Sequence, residues 1–322
     1  MSLLVDNFKL DDVEMRQAYC DALIAEGKRN DKLMVVDVDV SRSVGTTRFY
    51  QELPEQAINC GIMEAHAVGL CAGMSATGIV PFFHAFGIFA TRRVFDQIFI
   101  SCAYQDLNVK IIGADPGVTA AMNGGTHMPF EDIGLMRLIP NATIIEPADS
   151  TMYKTVVPYL AEHYGVSYLR TSRRKTVKIY NDDAQFTIGK ANKLYDGTDV
   201  CIIACGIMVY EAIKARDLLM KEGISASVLD MHTIKPLDKE AVLTEAKRCG
   251  AIVTAENHNQ TGGLGSAVAE VLAENYPIPM ERVGVEESFG EVGSQQFLQE
   301  RFGLTAENIA QKAKKCMQRK TK

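Results

Sequence analysis

The stretch from Asn59 to Gly78, NCGIMEAHAVGLCAGMSATG, sets one formal charge, Glu64, in a run of Ala, Gly, Met and Cys. The run reads as a helix that is apolar nearly all round, so it belongs in a core or at an interface. A carboxylate placed there has to find a specific partner or take up a proton, because an unpaired charge is costly in a low-dielectric setting. The local pattern leaves two readings open. Glu64 is either a first-turn acid facing the helix dipole, with Asn59 as cap, or a functional carboxylate.

Three further segments carry chemistry-bearing side chains. Pro81 to Gln97, PFFHAFGIFATRRVFDQ, gathers five of the thirteen phenylalanines. Phe86 and Phe89 lie three apart; on a helix they share a face and can grip a planar ring, or simply fill core. Arg92 and Arg93 interrupt the apolar run, and surface salt bridges would account for them equally. Ala114 to Asp132, ADPGVTAAMNGGTHMPFED, sets His127 behind Gly124, Gly125 and Thr126, in a turn that lets backbone approach a ligand. A solvated or capping histidine is the plainer alternative. Asp37 and Asp39, in VVDVDVSRS, alternate onto one face at the end of the first apolar strand. The run Gly262, Gly263, Leu264, Gly265 lacks both the GxGxxG spacing and a P-loop lysine, so it reads as a tight strand-to-helix turn. His258, just before it, reads as a cap or as a site residue.

The elements that must position these residues follow from the hydrophobic pattern. Asp11 or Asp12 caps a first helix running through Val13, Ala18, Leu23 and Ile24 to a stop at Gly27. β-rich runs at Leu33 to Val38, Val80 to His84, Val109 to Gly113 and Thr143 to Glu146 alternate with helical segments, the pattern of a parallel sheet with crossover helices. Loops at the carboxyl ends of such strands are where α/β sheets build their sites. From Thr171 to about Asn192 the apolar period is lost, as in a segment crossing between domains. A second alternating series then runs through Val200 to Ala204, Val209 to Lys221, Ala226 to Leu229, Lys239 to Arg248, Ala251 to Ala255, Leu264 to Ala273 and Ala306 to Cys316. The fold class is α/β, with two consecutive domains, each a mainly parallel sheet flanked by helices, at 1–180 and 190–322.

Composition narrows the function. The chain has 322 residues and a formal net charge of -6, which gives no general electrostatic reason to bind nucleic acid. Eight cysteines without CxxC spacing read as free thiols of a reducing compartment. The start, MSLLVDNFKLDDVEMRQ, is unlike a signal peptide, and no apolar run approaches the roughly 18 residues of a membrane span. The expectation is a cytoplasmic protein with no membrane partner.

Taken in order, GIMEAHAVGLCAGMSATG, FGIFATRRVFDQI, GGTHMPFEDIGLMRLIPNATIIEPAD and ENHNQTGGLGSAVAEVL resemble the C-terminal half of transketolase, and most closely the small subunit of split transketolases. The resemblance implies a pyrimidine-binding domain followed by the transketolase C-terminal domain. It implies thiamine diphosphate with Mg²⁺ or Ca²⁺, and transfer of a two-carbon ketol unit from a ketose phosphate to an aldose phosphate, as in pentose phosphate chemistry. In such enzymes the glutamate matching Glu64 hydrogen-bonds N1′ of the cofactor's aminopyrimidine. By the same resemblance Phe86 and Phe89 hold the pyrimidine ring, Asp39 lies near the cofactor and Ser43 near the donor sugar. His127 contacts the reacting hydroxyls and exchanges protons with them, and Arg173, with Arg170 as a second candidate, grips a terminal phosphate.

Two positions depart from the family pattern. Asp115 stands where transketolases usually carry His, and Asn123 where they carry Asp. Both belong to the sugar channel by resemblance, and an acid at 115 repels a nearby phosphate. The family's Gly-Asp-Gly motif, followed about 25 to 30 residues on by Asn, does not occur in the sequence. The expectation is therefore a partner subunit carrying the diphosphate-binding domain and the metal, in an α₂β₂ assembly. Rival readings are the β subunit of a 2-oxo-acid dehydrogenase E1, a non-catalytic regulatory or scaffold subunit that has kept the fold, and a nucleotide-binding regulator using the Gly262 loop.

Overall fold

The computed structural model describes residues 3–320. Twelve strands are found among them: β1 (Leu33–Asp37), β2 (Ala57–Asn59), β3 (Val80–Phe86), β4 (Lys110–Ala114), β5 (Thr143–Ile145), β6 (Ser167–Thr171), β7 (Asn192–Tyr195), β8 (Val200–Ala204), β9 (Ala226–Asp230), β10 (Thr233–Lys235), β11 (Ile252–Asn259) and β12 (Met280–Val285). They form a seven-stranded sheet in the order β10-β5-β6-β4-β3-β1-β2 and a five-stranded sheet in the order β12-β11-β8-β9-β7. All pairings are parallel except β10 with β5 and β7 with β9. Covered by helices on both faces, the central strands read as continuous apolar runs such as VCIIA in β8.

Alternation along the strands sends their side chains into two apolar clusters, one on each side of the sheets. Val35, Phe82, Ile112 and Leu169 of the first sheet share one cluster with Ile202, Val228 and Val253 of the second. Val36, Phe83, Ile111 and Tyr168 share the other with Cys201, Ile203 and Ile252. The two domains are thus packed through common layers of core.

Three local expectations change. The helix bearing Glu64 spans Glu64–Ala76 and does not reach back to Asn59, because residues 57–59 pair with β1 as a short parallel strand. Asn59 does not cap that helix; its side-chain oxygen accepts the N–H groups of Asp39 and Gly61. The first helix spans Met15–Gly27 with Glu14 as its N-cap, whose N–H donates to Gln17 Oε1 at 3.2 Å, while Asp11 accepts from Val13. The crossing segment is also anchored: Asp149 accepts the N–H groups of Ile179 and Tyr180, and the Tyr180 hydroxyl reaches Asp230 in the second sheet.

Strand β10 belongs by sequence to the second domain yet forms an edge of the first sheet. Within the same sheet the run β6-β4-β3-β1 brings four carboxyl ends side by side. The residues singled out above follow them directly: Asp39 and Ser43 after β1, Phe86 and Phe89 at the end of β3, Asp115 after β4, and Arg173 after β6.

Candidate functional site

Glu64 opens its helix and is only 5 % exposed. Arg93 Nη1 donates to Glu64 Oε1 at 2.6 Å. The Cζ of the same guanidinium lies 3.8 Å from the centre of the Phe89 ring, a close cation–π contact. Phe86 and Phe89 meet edge to face at 6.4 Å, and the His127 ring sits 5.4 Å from the first and 5.1 Å from the second. They meet without sharing a helix: Phe86 ends β3 and Phe89 lies in the short turn Gly87–Ala90.

The Arg173 guanidinium lies 5.3 Å from the Phe86 ring. Arg173 Nε donates to the Asp115 carboxylate, and the Arg173 N–H donates to the same carboxylate at 3.2 Å. Glu64, Arg93, Phe89, His127, Phe86, Arg173 and Asp115 therefore form one continuous line of contacts across the carboxyl ends of three strands.

The electrostatics follow from this placement. Burial, and then the positive charges of Arg173 and Arg93, lower the His127 pKa and favour the neutral imidazole. Burial raises the Asp115 pKa, against the pull of Arg173. Asp39 and Asp115 both sit at positive φ, 65° and 56°, a conformation that Asp tolerates better than most residues and that redirects the chain sharply at a strand end. Asn123 is half-buried and closes the Gly117–Asn123 turn that leads into Gly124.

Arg170 stands apart from this group. It is fully buried, with Nε and Nη2 on the Asp132 carboxylate at 2.7 and 3.0 Å, and Nη2 also on the Asn257 carbonyl at 3.1 Å. Nη1 lies 2.8 Å from Glu146 but off its hydrogen-bonding line. A guanidinium held in this way by carboxylates and a carbonyl is a domain-interface group with no route to an arriving phosphate, so the placement argues against a gripping role for Arg170.

The Gly262 turn leads into the helix Leu264–Asn275, as its glycines suggest. The N–H groups of Leu264 and Gly265 are both taken by the Glu256 carboxylate at 2.7 Å, so the position of an incoming phosphate is filled by the chain itself. Burial pushes Glu256 up to about 7. His258 is buried beside it, pushed down to about 4 by burial, with Nδ1 on the Asn259 carbonyl at 2.7 Å. Neither residue reaches the line from Glu64 to Asp115.

In the sequence Arg93 is only a break in an apolar run; its pairing with Glu64 spans 29 residues and leaves no periodic trace. That pairing is also a test of fit. A planar, nitrogen-rich N–H donor bonded to Glu64 and lying over Phe89 has the hydrogen-bonding and ring-contact character of a pyrimidine that carries a proton on the ring nitrogen facing Glu64.

Two family models match the chain, one described as the pyrimidine binding domain of transketolase over residues 11–178, the other as the C-terminal domain of transketolase over residues 189–309. A 6-deoxy-6-sulfo-D-fructose transketolase subunit from a Clostridium species (strain MSTE9) is 47% identical over 97% of this chain and 97% of its own length. A subunit of an apulose-4-phosphate transketolase from Phocaeicola vulgatus is 36% identical over 94% of this chain and 96% of its own. A solved structure described as a split gene transketolase, an inactive β4 tetramer, superposes with a TM-score of 0.89 at 40% identity, covering 97% of this chain and 100% of that one.

Proposed function

Since the chain belongs to the transketolase family, we propose that it is the small subunit of a heteromeric, thiamine-diphosphate-dependent transketolase, with its pyrimidine-binding domain at 1–180 and its C-terminal domain at 190–322. One observation carries this reading: Glu64, buried at the start of its helix, holds a planar N–H donor that also lies over the Phe89 ring. When bound, thiamine diphosphate supplies the carbon nucleophile that breaks and remakes the carbon–carbon bond. Glu64 would hydrogen-bond N1′ of the aminopyrimidine, accepting from it when N1′ carries a proton and donating the shared proton when it does not, and Phe86 and Phe89 would hold its ring, with Asp39 beside them. His127, kept neutral by burial and two cations, accepts a proton from a substrate hydroxyl and returns it. Ser43, Asn123 and the Asp115–Arg173 pair line the sugar path.

The diphosphate and its Mg²⁺ or Ca²⁺ fall to a partner subunit with the diphosphate-binding domain, in an α₂β₂ complex in the cytoplasm. Support comes from relatives that are themselves named as subunits and from the β4 tetramer described as inactive. Among the described residues no helix is long and apolar enough to cross a membrane. The donor is read as a ketose with an anionic end group. The two relatives' sugars carry a sulfonate and a phosphate, and Asp115 tempers the charge that Arg173 offers to either.

The test is reconstitution. The chain is combined with the partner subunit, thiamine diphosphate and Mg²⁺, then given ribose 5-phosphate with either xylulose 5-phosphate or 6-deoxy-6-sulfo-D-fructose. Ketol transfer that disappears in E64Q is the expected result. Oxidative decarboxylation of pyruvate without ketol transfer, or undiminished transfer by E64Q, would overturn the reading.

A further inference from the structure

The loop from Asp115 to Met128, which carries Asn123 and His127, is gripped at both ends by the second domain. At its start, Asn257 Oδ1 accepts the Val118 N–H and Asn257 Nδ2 donates to the Pro116 carbonyl, each at 2.9 Å. Contact there is close: a Cβ at Gly117 would fall 2.1 Å from Asn257 Oδ1. At the far end the backbone of Gly290 lies on that of Gly125. A Cβ on Gly125 would fall 2.3 Å from the Gly290 carbonyl oxygen, and one on Gly290 would fall 2.9 Å from Gly125 Cα. A Cβ on neighbouring Gly124 would fall 2.7 Å from Val292 Cγ2. Just beyond the loop, the Asn259 N–H donates to the Phe130 carbonyl at 2.9 Å, and the rings of Phe130 and Phe302 meet at 5.4 Å.

Glycines at 117, 124 and 125 let the loop approach this closely, and Gly290 does the same from the other side. At Gly290 the second domain lies against the backbone of Gly125 and against Met128, where a Cβ would fall 2.7 Å from its Sδ, so a displacement of that domain passes to the residues that flank His127 on both sides. We propose that the C-terminal domain is a positioning element for His127, acting through Asn257 at one end of the loop and Gly290 at the other. It follows that the domain tunes the reaction without touching substrate, which makes Asn257 and Gly290 positioning residues. This rests on the transketolase reading of His127.

The reconstituted complex tests it, with Lys235→Met as comparator. Lys235 Nζ bridges the domains elsewhere, donating to the Arg137 and Ile139 carbonyls. Ketol transfer, thiamine diphosphate affinity and melting temperature are measured for Gly290→Ala, Asn257→Ala and Lys235→Met. Gly290→Ala and Asn257→Ala are expected to lower kcat by about ten- to a hundredfold while the cofactor dissociation constant stays within about twofold. Lys235→Met is expected to lower the melting temperature and leave kcat unchanged. Asn257→Ala opens space where Gly290→Ala fills it, so it decides the matter should the latter not fold. Wild-type kcat in Asn257→Ala overturns the proposal, as does a loss of kcat in Lys235→Met matching the others for the same loss of melting temperature. Absence of ketol transfer in the wild-type complex would instead overturn the family-based function.

Discussion

Arg93 donates to Glu64 at 2.6 Å while lying 3.8 Å over the ring of Phe89. One guanidinium thus engages both the carboxylate and the aromatic face assigned to the cofactor's pyrimidine. If the cofactor binds as proposed, it competes with Arg93 for the same two partners. R93M is expected to bind thiamine diphosphate more tightly in the reconstituted complex, read by equilibrium dialysis; weaker binding would show that Arg93 remains as a contact to the cofactor. E64Q keeps the shape but loses the proton acceptor, and ketol transfer should fall by about 10²- to 10⁴-fold in steady-state assays.

Asp115 holds Arg173 through two donors and offsets its charge. Replacing the acid by its amide leaves Arg173 a full positive charge, which favours a dianion over a monoanion. D115N should therefore shift the ratio of kcat/KM for phosphorylated over sulfonated ketose donors toward phosphate by about tenfold. An unchanged ratio would place the sugar's end group away from this pair.

The acid limb of the rate profile should report His127. Burial comes first among the causes of its lowered pKa, followed by Arg173 and Arg93. With the neutral imidazole as the proposed base, activity should hold as pH falls through the ordinary histidine range of about 6.5 and be lost only below it. Removing a neighbouring cation raises the pKa, so the limb in R93M should move to higher pH. A limb that stays in place in kcat profiles of wild type and R93M would assign it to another group.

Arg170 is expected to act on stability. Its replacement by Met leaves Asp132 and Glu146 buried without their shared cation. The loss should be about 3 to 5 kcal/mol in urea unfolding. A loss well below that range would mean that the two carboxylates take up protons or find other donors.

Much of the frame was legible in the sequence because apolar runs of four to eight residues mark buried strands directly. Leu33 to Val38 and Val80 to His84 appear within a residue or two of their place. The helix start at Glu64 was not legible, since the three-residue pairing of Ala57–Asn59 with β1 has no local signature. Strand β10 was missed for the same reason: its partner β5 lies some 90 residues upstream in another domain. Phe86, Phe89 and His127 stood out by type and spacing, yet their meeting depends on β3 and β4 being neighbours, which only the sheet order supplies. Arg170 and Arg173 look alike on the chain. Arg170 lies within β6, which is buried along its whole length, while Arg173 lies two residues past its end.

Strand β10 has one more consequence. It lies along the outer side of β5, so the second domain shields what would otherwise be an open edge of the first sheet. A fragment ending at residue 180 would present the bare N–H and C=O groups of Thr143–Ile145 to any passing strand, an invitation to edge-to-edge aggregation. Fusions, truncations and circular permutants of this protein should keep residues 233–235 with the first domain.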